Sequence, residues 1–465
     1  MLKSRFVPLA VVTLISFAGT NASAQADAGL AAKVDSIAKQ VLQATGVPSA
    51  TVAVVTHGRV AYVNAYGCAK LDPCVAATPD MRYAIGSISK QFTAVAALLL
   101  QQDGKLSLDD PVSRFIPELT RGNEVTVRQL LSHTSGYQDF WPQDYVMPMM
   151  LVATTPQAIA DRWGKQPLDF APGSRWQYSN TNYTLAGMVV EKASGMPFFQ
   201  FVRTRILVPM GLTSASDFDV NPRAVNATGY LRYGLGPLRP APDAGAGWMW
   251  AAGELAMTAK DLANWDISII RQSLLKPPAY AELEREVRLN NGAGTGYSLG
   301  LDVGMQGTRL MLEHSGEVSG FTAENMVFPE DSAAVVVLTN QDAAPASGAL
   351  AQQISQVLFT TEDALAANRT AQARTILEGL QRGTIDRSLF TSNANAYFSD
   401  QALKDFASSL GPLGALTSFA QTRKAERGGM VYRSFRATYP GRTLRAWTYE
   451  TPDGKLEQYQ VAPQG

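Results

Sequence analysis

The 465-residue sequence predicts an α+β protein in two parts: an antiparallel sheet flanked by helices with a mostly helical subdomain, then a small C-terminal α+β domain. Two observations carry this. Strand-like alternation stands near both ends of the first 360 or so residues with helical patterns between, so one sheet is built from both ends of a domain. At TTEDALAANRT the pattern breaks, a new helix follows, and strands close the chain.

Residues 1–24 read as an export leader: Lys3 and Arg5 open it, FVPLAVVTLISFA is its apolar run, and Ala22-Ser23-Ala24 is a small-residue cleavage site. The run from Phe6 to Ala18 is shorter than the roughly 20 apolar residues a spanning helix needs. A mature chain from Gln25, periplasmic or secreted and without a stable membrane anchor, is the expectation. LAAKVDSIAKQVLQATG has apolar residues at helical spacing, and SATVAVVTHG and RVAYVNAYG alternate as two strands joined by a glycine turn. A second helix is expected from Ser87 through FTAVAALLLQQDG, with Gly104 as its stop. Pro- and Gly-punctuated loops follow, then a short helix in VRQLLSH and a long one in TNYTLAGMVVEKASG.

From about residue 293, GYSLGLDVG, TRLMLEHSG, TAENMVFP and AAVVVLTNQ read as strands, completing a first domain over residues 25–362. Residues 366–465 form the second: helix AQARTILEGLQRG, then strands MVYRSFRATY, TLRAWTYET and KLEQYQVA, the last two joined by a Pro-Asp-Gly turn.

Composition narrows function by exclusion. Lys plus Arg and Asp plus Glu both total 40, so nothing favours a nucleic-acid partner. Three histidines and two cysteines, none at ligand spacing, predict no metal, and no cofactor motif stands out. Cys68 and Cys74 flank a turn in a chain expected to enter an oxidising compartment, where a local disulfide or two free thiols would both fit.

Two serines compete for a catalytic role. GYSLG, residues 296–300, fits the G-x-S-x-G nucleophile elbow, but an elbow needs a strand, a sharp turn and a helix. NNGAGTG before it is a loop and LDVGMQG after it alternates, so Ser298 is expected on a structural strand. In GSISKQF, a helix beginning near Ser87 puts Ser87 and Lys90 one turn apart on one face and Ser87 at the positive helix end. A lysine in a dry site loses part of its preference for charge and can take the serine proton. S-x-x-K arises roughly once by chance in a chain this long, so the weight lies in its company.

That company is Tyr178-Ser179-Asn180 directly before the long helix, and His314-Ser315-Gly316 in a strand continuing GEVSGF. With GSISKQFTAVAALLLQQDGKLSLDDPV, LLSHTSGY and PGSRWQYSNTNYTLAGMVVEKASG, the sequence resembles the serine β-lactamase and penicillin-binding family over roughly residues 30 to 360. It is similar particularly to the branch of class C β-lactamases, D-Ala-D-Ala carboxypeptidases, D-aminopeptidases and esterases. The resemblance implies a β-lactamase/transpeptidase-like fold and an acyl-enzyme serine hydrolase without cofactor. It makes Ser87 the nucleophile, Lys90 its proton partner and Tyr178 the general base, its phenol acidified by nearby positive charge. Asn180 would orient Lys90 and substrate, His314 would wall the cleft, and Gly316 would let substrate lie close to backbone. The backbone N–H groups of Ser87 and Glu317 would form the oxyanion hole.

His314 stands where class C β-lactamases carry lysine, and a histidine is mostly neutral near pH 7. The expected substrates are therefore small-molecule or peptide acyl compounds, cell-wall derivatives among them, cleaved in the manner of D-amino-acid peptidases or esterases. β-Lactam hydrolysis and a non-turnover penicillin sensor or pseudoenzyme with a binding tail are the alternatives. His133 is expected to stabilise its loop, while Tyr137, Phe140 and Trp141 would line the cleft or pack within a loop. The tail, with 13 basic and 8 acidic residues from Ala366, weakly resembles the nuclear transport factor two-like accessory fold. Oligomeric state is left open.

Overall fold

A computed structural model describes residues 19–142, 145–359 and 365–463, with residues 19–28 described by backbone alone. The leader's apolar run falls on residues 1–18, outside the described residues, and its expected cleavage site lies on the backbone of helix α1, Gly19–Thr45. The chain divides into two compact units between Phe359 and Thr360.

In the first unit, β1 (Ser49–Thr56) and β2 (Arg59–Lys70) form the hairpin that the glycine turn predicts, and a short β3 (Val75–Ala76) extends it. Cys68 and Cys74 are bridged by a disulfide beside this edge. Four strands return from the far end of the unit: β4 (Asp302–Gln306), β5 (Arg309–Val318), β6 (Phe321–Phe328) and β7 (Ala333–Thr339). The sheet runs β3-β2-β1-β7-β6-β5-β4, so the two chain ends meet at β1 and β7, in the register Val52 to Val337 and Val54 to Val335.

Those central strands are apolar on both faces because both faces are covered. Val52, Val54, Val335 and Val337 pack with Val34, Val41, Leu350 and Ile354 of α1 and α7 (Ala346–Phe359). Their alternates Ala53, Val55, Val336 and Leu338 face the main core. That core holds α2 (Ser89–Gln102), α3 (Val127–Leu131), α4 (Asn180–Ser194), α5 (Trp250–Gly253) and α6 (Ala259–Ile270). This is the antiparallel sheet flanked by helices that the sequence predicts.

Two corrections bear on the site. Helix α2 begins at Ser89 rather than Ser87, and Gly86–Ile88 form a 3₁₀ turn leading into it. Ser87 and Lys90 remain three residues apart on a helical path, because Ile88 and Ser89 keep helical backbone angles. GYSLG is a turn rather than a strand, and the strand starts only at Asp302. Ser298 is fully buried there, donating to the Leu283 carbonyl at 2.7 Å.

The second unit carries α8 (Ala366–Gln381), α9 (Asp400–Leu410) and a four-stranded antiparallel sheet. Its order is β8 (Ser418–Arg427), β9 (Met430–Tyr439), β10 (Arg442–Glu450) and β11 (Leu456–Pro463). The sequence predicts only the last three. β8 is an edge strand with mostly exposed residues, so it lacks the apolar alternation that would reveal it. The unit has its own core around Ile376, Leu377, Phe398, Phe435, Ala446 and Tyr459.

Candidate active site

The Ser87 turn is held against β5 by two glycines. Gly86 has φ +52, and a Cβ there would stand 2.8 Å from the Glu317 backbone nitrogen. A Cβ on Gly316 would stand 2.0 Å from the Ile85 carbonyl oxygen. Both glycines therefore allow strand and turn backbones to touch, which brings Ser87 beside Glu317. The contact corrects the role expected of Gly316: the backbone it lets approach is that of the Ser87 turn.

Lys90 is fully buried in α2, and its Nζ donates to three oxygens, each at 2.9 Å: Ser87 Oγ, Asn180 Oδ1 and the Ala252 carbonyl. Burial pulls its pKa down to about 7, against a pull upward from Asp139. At neutral pH the amine is thus divided between its charged and neutral forms, and the neutral form has a lone pair for the Ser87 proton. Asn180, first residue of α4, is fixed in turn by Asp139, whose Oδ1 accepts the Asn180 N–H at 2.8 Å. Burial raises the Asp139 pKa, opposed by backbone N–H groups of Trp141 and Asn180 and by Lys90.

Tyr178 is hydrogen bonded to Ser87, and the Lys90 Nζ lies 4.9 Å from its ring centroid. The expected acidification does not occur: burial pushes the phenol upward, and the Ser87 hydrogen bond only partly opposes it. Desolvation penalises a buried phenolate, and a half-neutral Lys90 gives little charge to offset that.

His133 brackets Tyr178. Its carbonyl accepts the Gln177 N–H at 3.0 Å, its Nδ1 accepts the Ser179 N–H at 3.2 Å, and its ring lies 4.3 Å from the Tyr178 ring. The residue takes the left-handed backbone at φ +58 to do this. The loop-stabilising reading understates it, since the loop it stabilises presents Tyr178.

His314 sits on β5 with Nδ1 2.6 Å from the Ser315 carbonyl and Nε2 2.9 Å from the Tyr297 hydroxyl. A carbonyl only accepts, so Nδ1 carries the hydrogen and Nε2 accepts from Tyr297. Burial and Lys90 pull its pKa down to about 3, so the ring is neutral. Tyr297 is the functional yield of GYSLG. Gly300, with φ +79, seats the same turn against the Lys90 carbonyl, where a Cβ would stand 2.9 Å away.

These groups open into one cleft of about 600 Å³. Ser87, Tyr178, Asn180, His314 and Glu317 all line it, with Phe140, Trp141, Trp176, Trp248 and Tyr297 as aromatic walls. Tyr137 does not, and instead donates to the Thr120 carbonyl at 2.9 Å. The sequence reading missed Asp139, the bracketing role of His133, and Tyr297.

The family model described as Beta-lactamase matches residues 34–358. The chain belongs to the beta-lactamase family. Protein flp of Staphylococcus aureus (strain NCTC 8325 / PS 47) is 27% identical over 323 residues, covering 66% of this chain and 62% of that protein. The chain thus spans under two thirds of that relative's length. Putative penicillin-binding protein PbpX of Bacillus subtilis (strain 168) is 26% identical, covering 67% of this chain and 75% of that one. Among solved structures, a D-stereospecific amidohydrolase from Streptomyces sp. superposes with TM-score 0.60 and 28% identity, over 70% of this chain and 98% of that one. An octameric penicillin-binding protein homologue from Pyrococcus abyssi shares the fold over 92% of this chain and 99% of its own, with TM-score 0.63 and 22% identity.

Proposed function

We propose that the protein is an exported serine hydrolase that forms an acyl-enzyme at Ser87 and transfers the acyl group to water, acting on amides or esters of amino-acid type. The observation that carries this is the Lys90 amine, dry and shared at 2.9 Å between Ser87 and Asn180, both of which line an aromatic cleft.

Neutral Lys90 takes the Ser87 proton as Oγ adds to the acyl carbon, and the oxyanion faces the backbone N–H groups of Ser87 and Glu317. Tyr178, kept protonated by its burial, gives its proton to the leaving amine or alkoxide, and the Lys90 ammonium stabilises the phenolate left behind. The phenolate then takes a proton from water, whose hydroxide attacks the acyl carbon. Ser87 Oγ departs with the Lys90 proton, and both groups return to their starting states. Lys90 rather than Tyr178 thus acts as base in the first step, because its pKa lies near 7 while the phenol is pushed upward.

The amino-acid amide or ester class is supported by a neutral His314, which offers no cation to the carboxylate of a β-lactam or a D-Ala terminus. It also agrees with the similarity to the D-stereospecific amidohydrolase. Export is supported by the leader-like start and the Cys68–Cys74 disulfide. The test is hydrolysis of a p-nitrophenyl acyl ester. Ser87→Ala should abolish it, whereas Ser298→Ala should stay active and lose about 1 kcal/mol of stability with its buried hydrogen bond. A dead Ser298→Ala beside an active Ser87→Ala would reject the reading.

A further inference from the structure

Among the described residues, three carboxylates line the cleft, those of Asp139, Asp302 and Glu317, and no arginine or lysine lines it with them. Two are committed within the protein. Asp139 accepts the Asn180 and Trp141 N–H groups, and Glu317 accepts the Ala343 N–H at 2.7 Å. Asp302 is different. It is the first residue of β4, paired in register with Glu313 of β5, and among the described residues its carboxylate makes no hydrogen bond or ion pair. Burial foremost, and then the neighbouring carboxylate of Glu313, push its pKa up to about 6, and Asp302 raises that of Glu324. Asp302 in turn raises Tyr178, Tyr183 and Tyr297, so its field reaches the catalytic tyrosine.

We infer that Asp302 determines specificity by pairing with a free ammonium group of the substrate, in a cleft whose aromatic walls take an apolar side chain. The inference rests on the acyl-transfer reading of Ser87 and narrows its substrates to amino-acid amides, amino-acid esters and peptides with an unblocked amino end. A carboxylate facing another carboxylate is relieved by an incoming cation, and a partly desolvated pair is stronger than one in water. Trp141, Trp176 and Trp248 add π-faces that favour a cation beside an aromatic side chain.

The test separates binding from turnover. Ser87→Ala is titrated calorimetrically near pH 7, above the Asp302 pKa and below the usual α-amino range, with D-phenylalanine amide and with 3-phenylpropanamide, which lacks only the amine. The expected result is at least roughly tenfold tighter binding of the amine, the scale of one charge-assisted hydrogen bond. That preference should vanish when Asp302→Asn is added, and equally with Asp302→Ser. Equal affinities in Ser87→Ala, no measurable binding of either amide, or a preference surviving both Asp302 variants overturns the inference. Because these are affinities in a protein without its nucleophile, they stand apart from the ester assay. A wild type inactive on all esters would reject acyl transfer at Ser87 instead.

Discussion

Lys90 illustrates how a single buried group ties chemistry to stability. Its pKa of about 7, against the ordinary lysine value of 10.5, means that activity should rise with pH along a limb centred near 7 as the ammonium is lost. His314, at about 3, is neutral throughout and should leave no mark on that limb. The linkage follows in sign. Below about pH 7 folded and unfolded chains both hold the proton and the folded state bears the burial cost in full. Between 7 and 10.5 the unfolded chain binds more protons, so stability rises with pH. Lys90→Met should be inactive but more stable than wild type at pH 7, and denaturant titrations should show the gap narrowing toward pH 10. His133 offers a second check. His133→Ala removes the acceptor that holds Ser179 and should lower kcat/KM roughly 100-fold through a misplaced Tyr178. His133→Asn keeps an acceptor at the δ position and tolerates φ +58, so it should restore most of the loss. A shared loss in both variants would mean that the ring's packing, rather than its hydrogen bond, positions Tyr178. Ser87, Lys90, Tyr178, Asn180 and His314 were legible because each belongs to a short motif of chemically distinctive residues. Asp139 and Asp302 were not, since a carboxylate's meaning depends on what faces it.

Elements meet here through glycine. At Gly316 and Gly86 the backbones of β5 and the Ser87 turn approach more closely than any Cβ allows, and this contact sets Ser87 beside the Glu317 N–H. Gly316→Ala should separate strand from turn, costing about 1–3 kcal/mol of stability by overpacking. On the proposed acyl transfer at Ser87, a displacement of that serine near 1 Å should also lower kcat roughly 100-fold. Near-normal turnover in a folded Gly316→Ala protein would show that the turn keeps its place without the contact. GYSLG follows the same logic. Its serine is a buried peg, its tyrosine reaches His314, and Gly300 seats the turn on the Lys90 backbone. The period-2 pattern of LDVGMQG foretold β4, but it could not show that the five residues before it bend, because Gly296 and Gly300 take positive φ. The helix expected from Ser87 starts two residues late, after the 3₁₀ turn Gly86–Ile88.

The whole molecule holds two units with separate cores, one built around the sheet whose central strands come from opposite ends of the first 359 residues and one around the α8–β11 unit. Export is tested at this level: protein recovered from the periplasm or medium should have Gln25 as its first residue by mass spectrometry, and an intact Met1 there would reject leader cleavage. Local patterns were enough to establish the α+β class, most of the strands and helices, the family resemblance and the motif residues. Propensity, periodicity and motif spacing all act over a few neighbouring residues, and so does reading them. The close contact of Gly316 with Ile85, the hold of Asp139 on Asn180 and the bracket around Tyr178 all join residues distant in the chain. Their distances, burial and fields exist only once the sheet has closed around the cleft, and so do the neutral His314, the raised phenol of Tyr178 and the half-neutral Lys90 on which the chemistry turns.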